Sequence, residues 1–443
     1  MEKRLTKTQA LALGFFVIIV LGALLLMLPI SSKDGQFTSF IDALFTSTSA
    51  TCVTGLVVAD TFSKWTLFGQ LVILAEIQIG GLGFMTIGVG FAIVLNHRIG
   101  LWTRGTLQES VNIDKLGGIV KLVREVINGT ILIEGVAAII LTICFLRDFP
   151  LGTAIYYGIF HSVSAFCNAG FDLMGCIEPY GSFVPYNGNY VICIVLMLLI
   201  IIGGIGFFVW DDLYKNQFHV KRYRLQTKMV LFMTTILIFG GALLFFLLEK
   251  DSRAYEGLTT GQKVLAAFFN SVTARTAGFN STDTGLLRPA SQLLTMILMF
   301  VGGSPGSTAG GIKTTTLAVI ILAVISSLRR TNMNIFRRRI EDEIVRKATV
   351  VLSLNLFLVI IAVFVIMINQ NLPSLAVAFE VISAVGTVGM SMGITRSLSV
   401  FSKFIIILLM YFGRVGSMTF ALSFLAKKKP TNIKYPVEKV NVG

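Results

Sequence analysis

The 443-residue chain is short of charge, with Asp, Glu, Lys and Arg making up 14% of it against 54% hydrophobic residues. A soluble protein of this length needs a polar surface that such a composition does not supply, so the soluble classes are excluded. Histidine is scarcer still: His97, His161 and His219 are scattered, and no His and Asp/Glu cluster has the spacing of an intramembrane metal site. That argues against a membrane-embedded enzyme. The five cysteines, Cys52, Cys144, Cys167, Cys176 and Cys193, are odd in number and lack ligand spacing, and they read as small apolar fillers. No G-x-G-x-x-G follows a soluble strand, so the sequence offers no dinucleotide-binding fingerprint of its own.

What the chain has instead is length of apolar run. About 20 apolar residues cross the hydrocarbon as a helix, and eight segments qualify: Leu11 to Leu28, Leu67 to Leu95, Ile127 to Leu146, Tyr190 to Trp210, Met229 to Leu248, Gln292 to Leu328, Ala348 to Ile368, and Phe404 to Leu425. The first is expected to be a retained span rather than a signal peptide, because no small-residue cleavage site precedes Pro29. The net charge of +14 does not point to nucleic acid. Most Lys and Arg sit before the first segment, after the eighth, and between each even segment and the next odd one, which puts both termini and those links in the cytoplasm.

One plan is written four times between these segments: FTSTSATCVTG (Phe45 to Gly55), FHSVSAFCNAG (Phe160 to Gly170), FNSVTARTAG (Phe269 to Gly278) and FEVISAVGTVG (Phe379 to Gly389). Each opens with Phe, carries Ser or Thr four residues on (Ser49, Ser164, Thr273, Ser383), continues with Ala and reaches Gly; the third is one residue shorter. Repeats of this kind set the architecture. The physical reading is a short helix followed by bared backbone, with glycine where positive φ or close approach is needed. Four such segments converging on one axis offer rings of carbonyl oxygens that replace the water shell of a cation. The expected filter comprises Gly55, Gly170, Gly278 and Gly389 with the flanking Val53 and Thr54, Asn168 and Ala169, Thr276 and Ala277, Thr387 and Val388.

The expected fold is an all-α polytopic membrane protein of four tandem helix, re-entrant loop, helix repeats around a pseudo-fourfold central pore. The repeats divide as residues 1–96, 97–228, 229–347 and 348–443. Parallel repeats entering from one side favour a central pore over the inverted repeats of many secondary transporters. The second spans of units one and two carry IGGLG and IGGIG, and the fourth carries FGRVG (Phe412 to Gly416), so Gly80, Gly203, Gly302 and Gly413 are expected to correspond.

The other second spans have one or two breaks, and the third alone is expected to be unable to continue as a helix, at Gly302, Gly303, Ser304, Pro305, Gly306, Ser307, Thr308, Ala309, Gly310 and Gly311. A regular helix there is disfavoured by roughly 8 kcal/mol, at about 1 per Gly and about 3 for Pro. This stretch with Lys313 imitates a phosphate loop, but Ile312 separates Gly311 from Lys313 and no soluble strand precedes it. Two acids, Glu76 and Glu134, fall inside spans; each is expected to bond a polar neighbour, with ion coupling as the alternative.

The four Phe-to-Gly segments, the GGSPGSTAGGIK break and the late FGRVG resemble the Trk/Ktr/HKT family of cation-translocating subunits. The resemblance implies potassium as substrate, since the first filter glycine is often Ser in sodium-preferring members. It implies that the third-unit break is a gating loop and Arg414 the arginine beneath the filter. It further implies a homodimer with one pore per protomer, in the plasma membrane, and a cytoplasmic ring of nucleotide-binding regulatory subunits. Proton- or sodium-coupled potassium symport is the alternative function.

Overall fold

The computed structural model describes residues 6–83, 86–89, 119–217 and 219–416. The link from His97 to residue 118, the ends of the second and eighth apolar segments and the basic tail Lys427 to Lys429 lie outside the described residues. Each unit opens with a long apolar helix: α1 (Lys7–Met27), α4 (Ile119–Phe145), α8 (Leu225–Glu249) and α12 (Asp342–Asn369). At 1.5 Å per residue the shortest, of 21 residues, is about 31 Å long, enough to cross the hydrocarbon. These helices turn large apolar side chains outward, among them Phe16, Leu132, Phe239 and Phe364, each more than half exposed. That face meets lipid.

A shorter helix follows in each unit: α2 (Phe40–Thr51), α5 (Leu151–Phe166), α9 (Thr260–Thr273) and α13 (Ser374–Gly386). The first turns of α2 and α9 are set locally, by the Ser39 hydroxyl accepting from the Asp42 amide and by a Thr259/Gln262 capping box. The repeated phenylalanines, Phe45, Phe160, Phe269 and Phe379, are all fully buried. The second spans are α3 (Leu67–Leu82), the bent pair α6 (Tyr190–Gly204) and α7 (Phe207–Asn216), the interrupted pair α10 (Pro289–Phe300) and α11 (Thr314–Arg329), and α14 (Val400–Val415).

The packing is cyclic. Each second span lies against the short helix of the following unit: α3 on α5, α6 on α9, α10 on α13, and α14 back on α2. The last contact joins the two ends of the chain, where Lys403 Nζ pairs with Asp42 at 2.6 Å and the Tyr411 hydroxyl donates to the Ala12 carbonyl at 2.6 Å. The result is the mostly helical, pseudo-fourfold arrangement expected of four re-entrant repeats.

One expectation is corrected. The third second span is not alone in failing to continue as a helix, because α3, α6 and α14 also stop at or just before glycines of positive φ, Gly83 (82°), Gly206 (95°) and Gly416 (92°). The second span of unit two bends by 93° there. A left-handed glycine ends a helix at little steric cost, and the apolar composition on either side concealed it. The third break differs in length, running as irregular backbone from Val301 to Lys313 with its ends tied by a parallel bridge between Val301 and Ile312. Gly302 departs from its expected equivalents for the same reason. Gly80, Gly203 and Gly413 press on the carbonyls of Thr51, Phe166 and Val385 at the ends of short helices, whereas Gly302 presses on Gly310 of its own loop.

Those three glycines admit the short-helix ends to the axis. A Cβ at Gly80 would also stand 2.7 Å from the Thr51 carbonyl carbon, a backbone atom that cannot rotate away. Gly80→Ala is expected to cost about 1–3 kcal/mol through overpacking, read as a lower melting temperature in detergent. Gly135→Ala on α4, where a Cβ meets nothing within 4 Å, serves as the comparison and should leave the transition in place.

Candidate functional site

The four short helices end at one place, and the chain leaves each with the same alternation of handedness. Val53, Asn168, Thr276 and Thr387 take φ of 49°, 58°, 70° and 51°, and two residues later Gly55, Gly170, Gly278 and Gly389 take 90°, 70°, 80° and 93°. A β-branched residue in the left-handed region stores about 1–3 kcal/mol and persists only where its surroundings over-determine it. Backbone bonds do so here. Thr54, Ala169 and Val388 amides donate to Ser49, Ser164 and Ser383 carbonyls at 2.8 Å, and in the shorter third copy Ala277 donates to Thr273 at 3.0 Å.

The side chains of the same Ser and Thr complete the clamp. Ser49 and Ser383 hydroxyls accept from the Gly55 and Gly389 amides at 3.1 Å. Ser164 and Thr273 hydroxyls instead donate past the glycine, to the carbonyls of Phe171 at 2.7 Å and Phe279 at 2.6 Å. Sequence reasoning noted these four hydroxyl residues and gave them no role. Their recurrence at one position in all four copies was the available signal.

The strands close into a ring. A Cβ at Gly55 would stand 2.5 Å from the Ala169 carbonyl oxygen and one at Gly170 2.6 Å from that of Ala277. Gly278 meets the carbonyl of Val388 in the same way, and Gly389 meets that of Thr54. Each glycine therefore abuts the residue before the next glycine, and the fourth returns to the first. All twelve expected filter residues are brought together here, and Asn168 Nδ2 ties copies two and three by donating to Thr276 Oγ1 at 3.3 Å.

On one side of the ring lies an open cavity of about 440 Å³ lined by the four glycines and by Asp60, Asp172, Glu178, Asp283 and Arg396. Four carboxylates against one guanidinium favour a cation at this mouth. Asp60 caps the turn at Ser63, accepting from its amide at 2.8 Å, and accepts from the Tyr180 amide at 3.3 Å. Asp172 accepts from the Met174 amide at 3.0 Å. Burial, with the charge of Asp60 adding to it, pushes the Asp172 carboxyl up to about 7, against the Met174 and Ser182 hydrogen bonds that pull it down.

On the other side, the stretch from Gly302 to Gly311 crosses beneath the ring and bonds to units two and four. Ser304 and Thr308 amides donate to the Gly204 and Gly203 carbonyls at 3.0 and 3.3 Å, and the Phe207 amide donates to Gly306 at 2.8 Å. The Thr308 hydroxyl lies 3.2 Å from the Phe166 carbonyl and 3.3 Å from Asn168 Oδ1. A Cβ at Gly310 would run into the Thr387 side chain. Lys313 Nζ donates back to Ala309 at 2.8 Å, which satisfies the cation within its own loop and leaves no phosphate cradle.

Arg414 closes the assembly from below. Its guanidinium donates to the Thr308 carbonyl of the loop, to the Gly80 carbonyl and, at 3.0 Å, to the Gly81 carbonyl of unit one. One side chain thus joins units four, three and one. Among the described residues, Glu76 and Glu134 make no hydrogen bond to the ring or to Arg414. Glu76 accepts from the Ser47 hydroxyl on α2, and Glu134 accepts from Gln78 Nε2 at 3.3 Å, so both have the polar neighbours expected of them. The five cysteines are free thiols.

With this geometry in view, the chain matches the TrkH family model, described as cation transport protein, over residues 4–435. It belongs to the TrkH family of cation transport proteins. Relatives in that family include the Potassium/sodium uptake protein NtpJ of Enterococcus hirae, 39% identical with 100% of this chain and 98% of that protein covered. The Ktr system potassium uptake protein B of Bacillus subtilis is 43% identical, covering 99% and 97%. The crystal structure of the potassium transporter TrkH from Vibrio parahaemolyticus shares the fold, with a TM-score of 0.75 over 96% of this chain and 86% of that one at 18% identity. The TrkH-family chain is accordingly a polytopic cation transport protein.

The mouth of this TrkH-family protein is expected to respond to pH. Folding favours protonated Asp172, a contribution complete below the ordinary carboxylate range and lost as pH rises through about 7. Ionisation above that point adds negative charge beside Asp60 and should raise cation uptake at low substrate concentration. Tracer uptake measured against external pH should therefore climb through about 7, and Asp172→Asn should flatten the profile.

Proposed function

We propose that this chain conducts potassium ions across the plasma membrane through the ring of Gly55, Gly170, Gly278 and Gly389. The stretch from Gly302 to Gly311, with Lys313 and Arg414, acts as the gate beneath it. The observation that carries this reading is the closed ring, in which every glycine abuts a carbonyl of the next copy. Backbone oxygens brought together without side chains are what a dehydrated cation needs. Four glycines at equivalent positions favour potassium, and relatives named for potassium uptake support the same substrate.

The remaining parts follow from the same reading. The four units divide at residues 96, 228 and 347. Both termini and the basic links face the cytoplasm, which puts the acidic mouth outside. The functional form is a homodimer with a pore in each protomer, joined to a cytoplasmic ring of nucleotide-binding subunits of the Ktr type; likeness to a protein named for the Ktr system supports that partner. The chain carries out no chemical conversion, and its ligand is the transported ion. Coupled symport is a second reading, favoured by the potassium/sodium name of NtpJ.

Proteoliposomes test both. A potassium gradient alone should drive flux through an uncoupled pore, and flux that appears only with added sodium or a proton gradient would establish the symporter instead. In the same vesicles Gly55→Ser should shift the reversal potential toward sodium, because a side chain enters one quadrant of the ring; an unmoved potential would remove Gly55 from the filter.

Arg414→Ala removes three donations to backbone carbonyls and a fixed positive charge from the path. Potassium flux should become faster and less dependent on a regulatory partner, with selectivity retained. Normal expression with unaltered flux would rule out the gating role.

A further inference from the structure

Between α11 and α12 the chain forms a small hairpin, β1 (Asn334–Ile335) antiparallel to β2 (Arg338–Arg339). Its turn is pinned by Phe336, whose ring meets Phe232 of α8 edge-on at 6.2 Å. Met333 and Ile340 at its base join a small core with Met229, Met233 and Ala318. The hairpin is therefore a folded cover on the helix ends.

Beneath it lies an open recess of about 640 Å³ with both polar and apolar lining. Arg339, Arg346, Thr331 and Asn332 line it together with Asp342, and Ala323, Val345 and Val350 supply apolar wall. Neither arginine forms an ion pair among the described residues, whereas the nearby Glu343 is already paired with Lys347 at 2.7 Å. The segment 329–347 holds seven Lys and Arg against three carboxylates. On the helices that wall the cavity, Val324, Ile325 and Leu328 of α11 and Val350 of α12 are exposed apolar residues. A basic, hydrogen-bonding recess opening among uncovered apolar side chains at the end of two spans fits one kind of molecule.

We infer that this recess binds the phosphate headgroup of an anionic phospholipid of the inner leaflet, between Arg339 and Arg346, with the acyl chains along α11 and α12. The arginines supply charge-assisted donors, Thr331 and Asn332 supply neutral ones, and Asp342 favours a headgroup carrying hydroxyl donors. The leaflet rests on the orientation proposed above, but occupancy of the recess does not.

Native mass spectrometry of the full chain in detergent tests the inference, with phosphatidylglycerol, phosphatidylcholine and inorganic phosphate as probes. Phosphatidylglycerol should be retained over phosphatidylcholine, and Arg339→Gln and Arg346→Gln should each lower its retention about fivefold. Arg337→Gln, in the turn and outside the recess, should leave retention unchanged. Val350→Trp fills the recess with both arginines intact and should also expel the lipid, which guards against loss of fold in the arginine variants. Equal retention by the double arginine variant, an equal loss with Arg337→Gln, or displacement of the lipid by inorganic phosphate would each overturn the inference. Potassium flux by the unaltered protein, measured separately, reports on the proposed transport function and not on this site.

Discussion

The structure depends on four close approaches of glycine to carbonyl. At each, positive φ and the absence of a Cβ are both required, so the position admits one residue type for two independent reasons. Because each approach is to the neighbouring copy, no strand of the ring is placed by its own unit alone. The short helices must deliver their ends to a common point, and Gly80, Gly203 and Gly413 let them reach it. A helix C-terminus carries about half a negative charge, so four such ends around one axis make the ring electronegative.

Below the ring the governing term is the desolvation of a guanidinium. Arg414 is held by carbonyls that regular helices would have kept for themselves, those at the broken end of α3 and that of Thr308 in the irregular loop. Irregular backbone at membrane depth needs donors and a buried arginine needs acceptors. Each makes the other tolerable. The acids at the mouth and the arginine below set a gradient of fixed charge along the axis, negative at one end and positive at the other.

Much of this was legible in the sequence because repetition substitutes for structure. Four copies of one plan, each opening on Phe and ending on Gly, located the ring and its flanks, and five glycines with a proline located the loop. What stayed hidden was hidden for physical reasons. The breaks at Gly83, Gly206 and Gly416 are single left-handed residues inside apolar runs, where composition carries no trace of backbone handedness. The equivalence expected of Gly302 failed because a helix register cannot be extended past the point where the helix has ended. The clamp role of Ser49, Ser164, Thr273 and Ser383 depends on the fold of each copy, since the same hydroxyl accepts in two copies and donates in the other two.

The cyclic packing also has a meaning in time. A chain made from its N-terminus delivers α2 early, but the helix that covers α2 is α14, and the Lys403 pair with Asp42 waits for it. Until the final unit has entered the bilayer, Gly389 has no Thr54 to meet and the first strand of the ring has a neighbour on only one side. The first unit to be synthesised is thus among the last to be finished. An incomplete chain presents an unsealed seam beside Thr54 and Gly55, so the ring closes only when the fourth unit is present.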